Sequence, residues 1–264
     1  MLRSMYAGIS GMKNFQTKLD VIGNNIANVN TSGYKKGRVT FQDMMSQTTT
    51  NAQGATGTRG GINAVQVGLG SQLGSIDNIH TQGFLQTTNN PLDLAIEGDG
   101  MFVLDGGNGN RYYTRAGNLY LDNAGNIVNS NGYYLLNTAG GKINIPSTAE
   151  SFNIETNGAV NYIIGTTTTP AGTIGLASFS NPAGLLKEGN NLYSSTNNAG
   201  LGATLIPPES TGVGSLVSGS LEMSNVDLAE EFTEMITAQR GFQANTRIIT
   251  TSDEILQELV NLKR

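Results

Sequence analysis

The sequence predicts an α+β protein. N- and C-terminal helices form a coiled-coil-like layer, and an antiparallel all-β domain is inserted between them on extended Gly/Thr/Asn-rich connectors. Three observations predict this. Both ends carry apolar residues at alternating steps of three and four. The middle carries turn signals about every eight to twelve residues. Two polar stretches with few apolar anchors separate the middle from the ends.

The N-terminal helix, placed within 1–30, has a seam at Met5, Ile9, Met12, Gln16, Leu19, Gly23 and Ile26. This is the narrow stripe of a helix that packs lengthwise on another. Phe15 and Ile22 widen it. Asn24, Asn25, Asn28 and Asn30 end it, because Asn side chains compete for backbone hydrogen bonds. The C-terminal helix, placed within 223–264, starts with Asp227 as N-cap and Glu230 completing a capping box. Its seam is Leu228, Phe232, Met235, Gln239, Phe242, Thr246, Ile249, Asp253, Leu256 and Val260. A helix of about 35 residues is roughly 50 Å long and needs a partner of similar length. The N-terminal stripe is the partner within the chain. Phe15, Ile22, Ile236, Ile248, Leu259 and Leu262 do not all fit one seam, so further copies are expected to cover them. An ordinary intramolecular bundle is the alternative.

Residues 31–75 read as an extended connector, with Gln47 to Leu73 rich in Thr, Gly and Asn. Residues 76–222 read as the inserted β domain. Leu94–Leu104 is strand, turn, strand about Gly98-Asp99-Gly100. Arg111–Arg115, Leu119–Leu121, Ile127–Val128 and Tyr133–Leu136 follow, with turns at 122–126 and 129–132. Further strands are placed at Lys142–Ile145, Ser151–Ile154, Ala159–Ile164 and Gly172–Phe179. A second polar run, Ser194 to Ser220, leads back to the C-terminal helix.

Composition points away from catalysis. Only 13% of residues are charged, Gly numbers 35, and Trp and Cys are absent. Thiolate chemistry, disulfides and Cys-based zinc sites are thereby excluded. A net charge of −5 with no basic stripe argues against nucleic acid. Lys35, Lys36 and Arg38 read as a solvated loop. His80, the single histidine, reads as a surface or turn residue. Asp93, Glu97, Asp99 and Asp105 are spaced like turn acids rather than a glycosidase pair. No catalytic, cofactor-binding or metal-ligating set is nominated. The first thirty residues lack the apolar core of a cleavable secretory signal, and no stretch is long enough for membrane insertion.

Several motifs resemble the bacterial flagellar rod and hook protein family. Asp20-Val21-Ile22-Gly23-Asn24-Asn25-Ile26-Ala27-Asn28 with Thr31-Ser32-Gly33-Tyr34-Lys35 is similar to its N-terminal signature. Ser224-Asn225-Val226-Asp227-Leu228, Met235–Arg240 and Gln243-Ala244-Asn245 are similar to its C-terminal one. Leu92–Ile96, Gly100-Met101-Phe102, Thr114-Arg115-Ala116-Gly117 and Gly189–Tyr193 match its β region. The signature positions are Asn24, Asn25, Ala27, Asn28, Gly33, Gln239, Arg240 and Asn245. The resemblance implies a non-enzymatic subunit that polymerises helically with itself into a hollow tube, its terminal helices lining the tube and its β domain lying outside. It implies export through the flagellar apparatus without cleavage. It also implies neighbours among rod and hook–filament junction proteins and the hook cap. The favoured reading is a short hook protein, from Ile22–Ile26 and Leu259–Arg264. A distal rod subunit is the alternative, suggested by the long connector, His80–Gly83 and Thr87–Asn90. A secreted adhesin or tail fibre is a remote one.

Overall fold

In a computed structural model, which describes residues 2–107, 109–200, 204–210 and 212–262, the chain is α+β. The first residue, the two that end the hook-like C-terminal run, and 201–203 and 211 of the second polar run lie outside the described residues. The chain divides into two compact units. The helical unit comprises Met1–Ala27, Gly37–Asp77 and Asp227–Arg264; the β unit comprises Asn28–Lys36 and Asn78–Val226.

In the helical unit, α1 (Leu2–Ala27) and α2 (Leu228–Leu262) form an antiparallel pair. Asp227 caps α2, its Oδ1 accepting from Ala229 N at 2.8 Å. The seam does not lie where the heptad of large side chains places it. Gly8 faces Ile249, Gly11 faces Asn245, and Gly241 faces the Phe15 ring. Ala238 and Ser252 are buried on α2, as is Glu231. Spaced seven apart, Glu231, Ala238, Asn245 and Ser252 form a heptad frame displaced one position from the apolar one. Small residues let two backbones approach closely; a Cβ on Gly241 would lie 2.5 Å from Phe15 Cζ.

The stretch 31–75, expected as a connector, is not one. Residues 28–36 belong to the β unit. The remainder builds paired strands in the helical unit: Gly37–Asp43 pairs with Ser71–Asn78, and Ser46–Thr50 pairs antiparallel with Val65–Gly68. Backbone ladders and polar side-chain pairs such as Thr40 with Ser75 hold these strands, so a scan for apolar alternation passes over them.

The β unit holds an eight-stranded sheet, a three-stranded sheet and two ribbons. In the large sheet, neighbours run Leu186–Gly189, Leu192–Ser194, Arg111–Thr114, Met101–Asp105, Tyr134–Leu135, Ile127–Asn129 and Leu119–Leu121, with Leu176–Ala177 also pairing Met101–Asp105. The three-stranded sheet is Ser151–Ile154, Ala159–Ile164 and Thr167–Thr173. Leu94, Ile96, Phe102, Leu104, Leu135 and Ile174 centre the core. Leu94–Glu97 and Met101–Asp105 are consecutive but do not pair with each other. Leu94–Glu97 joins Ser215–Ser218 instead, because Gly98 and Gly100, at φ +113° and +133°, turn the chain sharply between them. Lys142–Ile145 makes only isolated bridges, and Gly172–Phe179 is broken between Thr167–Thr173 and Leu176–Ala177.

Gly117 marks where the core closes on backbone. A Cβ there would overlap the carbonyl oxygen of Leu94, whose own N–H donates to Gly117 O at 3.0 Å. Gly117→Ala is therefore expected to destabilise the β unit by about 1–3 kcal/mol. Gly54→Ala, in open space, should stay within about 0.5 kcal/mol of the parent. Urea unfolding followed by near-ultraviolet circular dichroism checks both; equal stabilities would refute the close-packing account.

Candidate assembly surface and its buried anchors

The helix pair leaves large apolar side chains outside its seam. Of the expected packing residues, Ile9, Leu228, Phe232 and Val260 are exposed, and Met5, Met12, Leu19, Ile26, Met235, Phe242, Ile249 and Leu256 are half-buried. Phe232 is 50% exposed and Ile236 59%. At 3.6 residues per turn, Leu228, Phe232 and Ile236 lie on one side of the seam, whereas Ile248, Ile255 and Leu259 continue its own heptad positions toward the end of α2 and are exposed there. Polar pairs stitch the seam. Lys18 Nζ meets Glu234 Oε2 at 2.9 Å, and Asn25 Nδ2 donates to Glu231 Oε2 at 3.2 Å.

The signature residues divide into anchors and surface. Asn25 is an anchor: its Nδ2 donates to Gly37 O at 2.9 Å, and its Oδ1 accepts from Gly37 N at 3.0 Å. One buried side chain thus ties the end of α1 both to the strand that begins at Gly37 and to α2. Asn28 closes the turn after α1 through Thr31 N and Oγ1. Gly33 lies at φ +68°, and a Cβ would collide with the Arg115–Ala116 backbone. Asn245 faces Gly11 and donates to Gly241 O. Asn24, Ala27, Gln239 and Arg240 are exposed.

In the β unit the strongest electrostatic feature is a buried triad. Lys35 and Glu222 are each 1% exposed and Arg115 5%. Lys35 Nζ lies 2.6 Å from Glu222 Oε1, and Arg115 Nε lies 2.7 Å from Oε2. Lys35 is therefore not a loop cation. Its partner stands 187 residues away, beyond the reach of local pattern reading. Arg115 also donates to the carbonyls of Gly98, Gly100 and Ile96. Gly83 N donates to Glu222 Oε1 at 3.0 Å, and Gly33 N donates to Glu222 O at 2.8 Å. Burial would raise the Glu222 carboxyl, but the charges of Arg115 and Lys35 and the hydrogen bonds hold it below its ordinary value. Lys35 is lowered by burial, against the pull of Glu222. Both are lowered, with opposite meaning for the charge: two cations favour the ionised Glu222 against its burial, whereas burial of Lys35 outweighs its one anion. Asn225 completes the anchor: Oδ1 accepts from Lys36 N at 2.8 Å, and Nδ2 donates to Ile79 O and Thr81 Oγ1.

His80, expected at the surface, is enclosed instead, with both ring nitrogens buried and neither bonded to a protein atom. Its ring centroid lies 5.7 Å from that of Tyr193. Burial, together with Lys35, Lys187 and Arg115, pushes it down to about 4. The carboxylates at 93 and 105 do turn work: Asp93 accepts from Thr88 Oγ1, and Asp105 from Gly107 N.

Two outcomes follow from these charges. Glu222→Gln leaves two cations without their shared anion and is expected to cost the β unit about 3–5 kcal/mol, read by urea unfolding. For His80, the folded value lies below the unfolded 6.5. The unfolded chain thus binds more protons between these values, and stability falls as pH drops from 6.5 toward 4. His80→Asn should remove that part of the pH dependence of Tm. An identical pH profile for parent and variant would contradict the assignment.

Comparison with known proteins bears on these features. Residues 5–35 match the family profile "Flagella basal body rod protein", residues 95–162 the "Flagellar hook protein FlgE/F/G D1 domain", and residues 217–262 the "Flagellar basal body rod FlgEFG protein C-terminal". The chain is 59% identical over 265 residues to the flagellar basal-body rod protein FlgG of Bacillus subtilis, covering 100% of both chains. It is 39% identical to the FlgG of Agrobacterium fabrum, over 96% of this chain and 97% of the relative. It is 30% identical, over an alignment of 446 residues covering both chains, to the flagellar hook protein FlgE of Borreliella burgdorferi. With its helix pair, its β insert and its anchored signature residues, the chain belongs to the flagellar rod and hook protein family.

Proposed function

We propose that this protein is a structural subunit of the distal flagellar rod, polymerising with copies of itself into a helical tube. Two exposed apolar patches on the helix pair carry this reading: Leu228, Phe232 and Ile236 beside the seam, and Ile248, Ile255 and Leu259 toward its end. A single patch would be satisfied by one partner in a closed pair. Two different patches at different places along one helix call for more than one neighbour, and non-identical contacts of that kind propagate into a helical polymer. Each Leu, Ile or Phe so covered contributes roughly 1.5–3 kcal/mol.

The hook reading gives way to the rod. Its motifs, Ile22–Ile26 and the C-terminal run, occur in a chain that aligns end to end with rod proteins at 59% and 39% identity. The hook relative needs an alignment of 446 residues to span this chain of 264. Length and identity together support the rod. The paired strands at 46–68 support it too: a hydrogen-bonded arm suits a fixed contact between copies better than a sliding connector does. Rod neighbours and the flagellar export apparatus are the partners this reading implies. No helix among the described residues is long and apolar enough to cross a membrane.

Phe232→Asp, or Met235→Asp or Phe242→Asp, is expected to abolish tube formation by sedimentation and electron microscopy while leaving β-unit unfolding unchanged. Normal tubes from all three variants would reject the assembly surface. Electron cryomicroscopy of parental tubes separates rod from hook. Straight tubes and a label inside the cell envelope support the rod; curved tubes and a label beyond it restore the hook.

A further inference from the structure

Within the β unit, a cavity of about 250 Å³ is lined by Lys35, His80, Asp99, Arg115, Ser178 and Ser180, together with the backbone around Gly100 and apolar groups. Counting donors shows its character. Lys35 has three N–H groups; hydrogen bonds to Glu222 Oε1 and Thr81 O take two. Arg115 has five; bonds to Glu222 Oε2, Gly100 O, Gly98 O and Ile96 O take four. His80 adds a ring N–H with no protein acceptor. The Ser178 and Ser180 side chains bring two hydroxyls. The acceptors are the Asp99 carboxylate, the other ring nitrogen of His80 and the serine oxygens; only Asp99 among them is charged, since the Glu222 carboxylate is already held by two cations. Lys187, whose ammonium lies 4.8 Å from the Tyr34 ring centroid and donates to Lys35 O, adds a third positive charge to the field at His80.

We propose that this pocket is a binding site for a carboxylate or another small oxyanion. Three cations against two carboxylates leave a net positive field, and the spare N–H and hydroxyl donors converge on a space large enough for such a group. An oxyanion is an acceptor on every face, which complements a wall of this kind. It would also give the imidazole its missing partner, so that His80 takes up a proton as the anion enters. The same chemistry comes from two sources: an acidic side chain of a second copy of this chain, or a free inorganic or organic anion.

Because His80 is the single histidine of the chain, its imidazole resonances report on the pocket without ambiguity. The experiment is a proton NMR pH titration of the full-length chain. Dilute protein is compared in sodium acetate, sodium phosphate and sodium chloride at equal ionic strength, and magic-angle-spinning spectra are taken of assembled tubes in chloride alone. Binding is expected to raise the His80 midpoint saturably, by about one pH unit. A rise with acetate or phosphate in dilute protein identifies a free anion. A rise on assembly in chloride identifies a carboxylate from a neighbouring copy. Either supports the site. The double variant Ser178→Ala/Ser180→Ala, with unchanged far-ultraviolet circular dichroism, should weaken the response several-fold. A midpoint that does not move on assembly, and moves no more with acetate or phosphate than with chloride, overturns the proposal. So does an undiminished response in the double variant.

Discussion

The helix pair closes on small and polar residues, and that constraint governs what the rest of the unit does. Gly8, Gly11, Ala238, Gly241 and Ser252 let α1 and α2 approach closely. Phe232 and Ile236 fall outside that seam's frame and are turned outward. A seam of Leu and Ile would bury more area in one chain and leave less for neighbours. Here the intramolecular contact fixes register through Glu231, Asn25, Lys18 and Glu234, and on the proposed function the exposed apolar side chains supply the hydrophobic driving force between copies.

Buried polar anchors solve a second problem, set by chain order. The chain passes from one unit to the other four times, at 27/28, 36/37, 77/78 and 226/227. Side-chain amides satisfy backbone groups beside several of these passages. Asn25 supplies both a donor and an acceptor to Gly37. Asn225 does the same for Lys36 and Ile79. An amide side chain mimics a peptide group, so one Asn can stand in for a missing strand neighbour. Glu222 accepts through its side chain from Lys35, Arg115 and Gly83, and through its carbonyl from Gly33. A buried cluster of this kind specifies one arrangement, and removing Glu222 strands two cations.

Much of the fold was legible in the sequence and part of it was not, for definable reasons. Both helices, the cap at Asp227, and the strands at Arg111–Thr114, Leu119–Leu121 and Ser151–Ile154 follow from periodicity and turn chemistry. The heptad frame was misplaced by one position because pattern reading assigns large side chains to a seam, and this seam selects small ones. Gly23 and Gln16 interrupting the apolar stripe were the available signal. The strands at 37–78 carry little apolar alternation and were read as a connector. The Lys35–Glu222–Arg115 cluster was out of reach because its members are scattered through the sequence. Lys35 and Arg115 stand inside motifs that were noticed, but a motif does not disclose that its cation is buried. His80 was read as superficial for the same reason: nothing local shows what packs over it.

The polar seam and the apolar flanks together bear on specificity. A polar residue at a seam position weakens a helix pair but excludes other registers, since any slip leaves it without a partner. Glu231 is the clearest case, buried and held by Asn25. Shifting α2 by one position would draw Phe232 against the Asn25 amide and would carry Glu231 away from it. Both penalties act in the same direction, so the wrong frame is disfavoured twice. With the frame fixed, the two apolar patches keep a constant angular separation around the helix. A subunit that adds by burying one patch then presents the other in a defined orientation to the next. On the proposed function, a tube of uniform geometry needs that constancy more than it needs a stable isolated hairpin. A polar seam, which would weaken a monomeric bundle, is therefore consistent with a subunit whose helices are covered mainly by its neighbours.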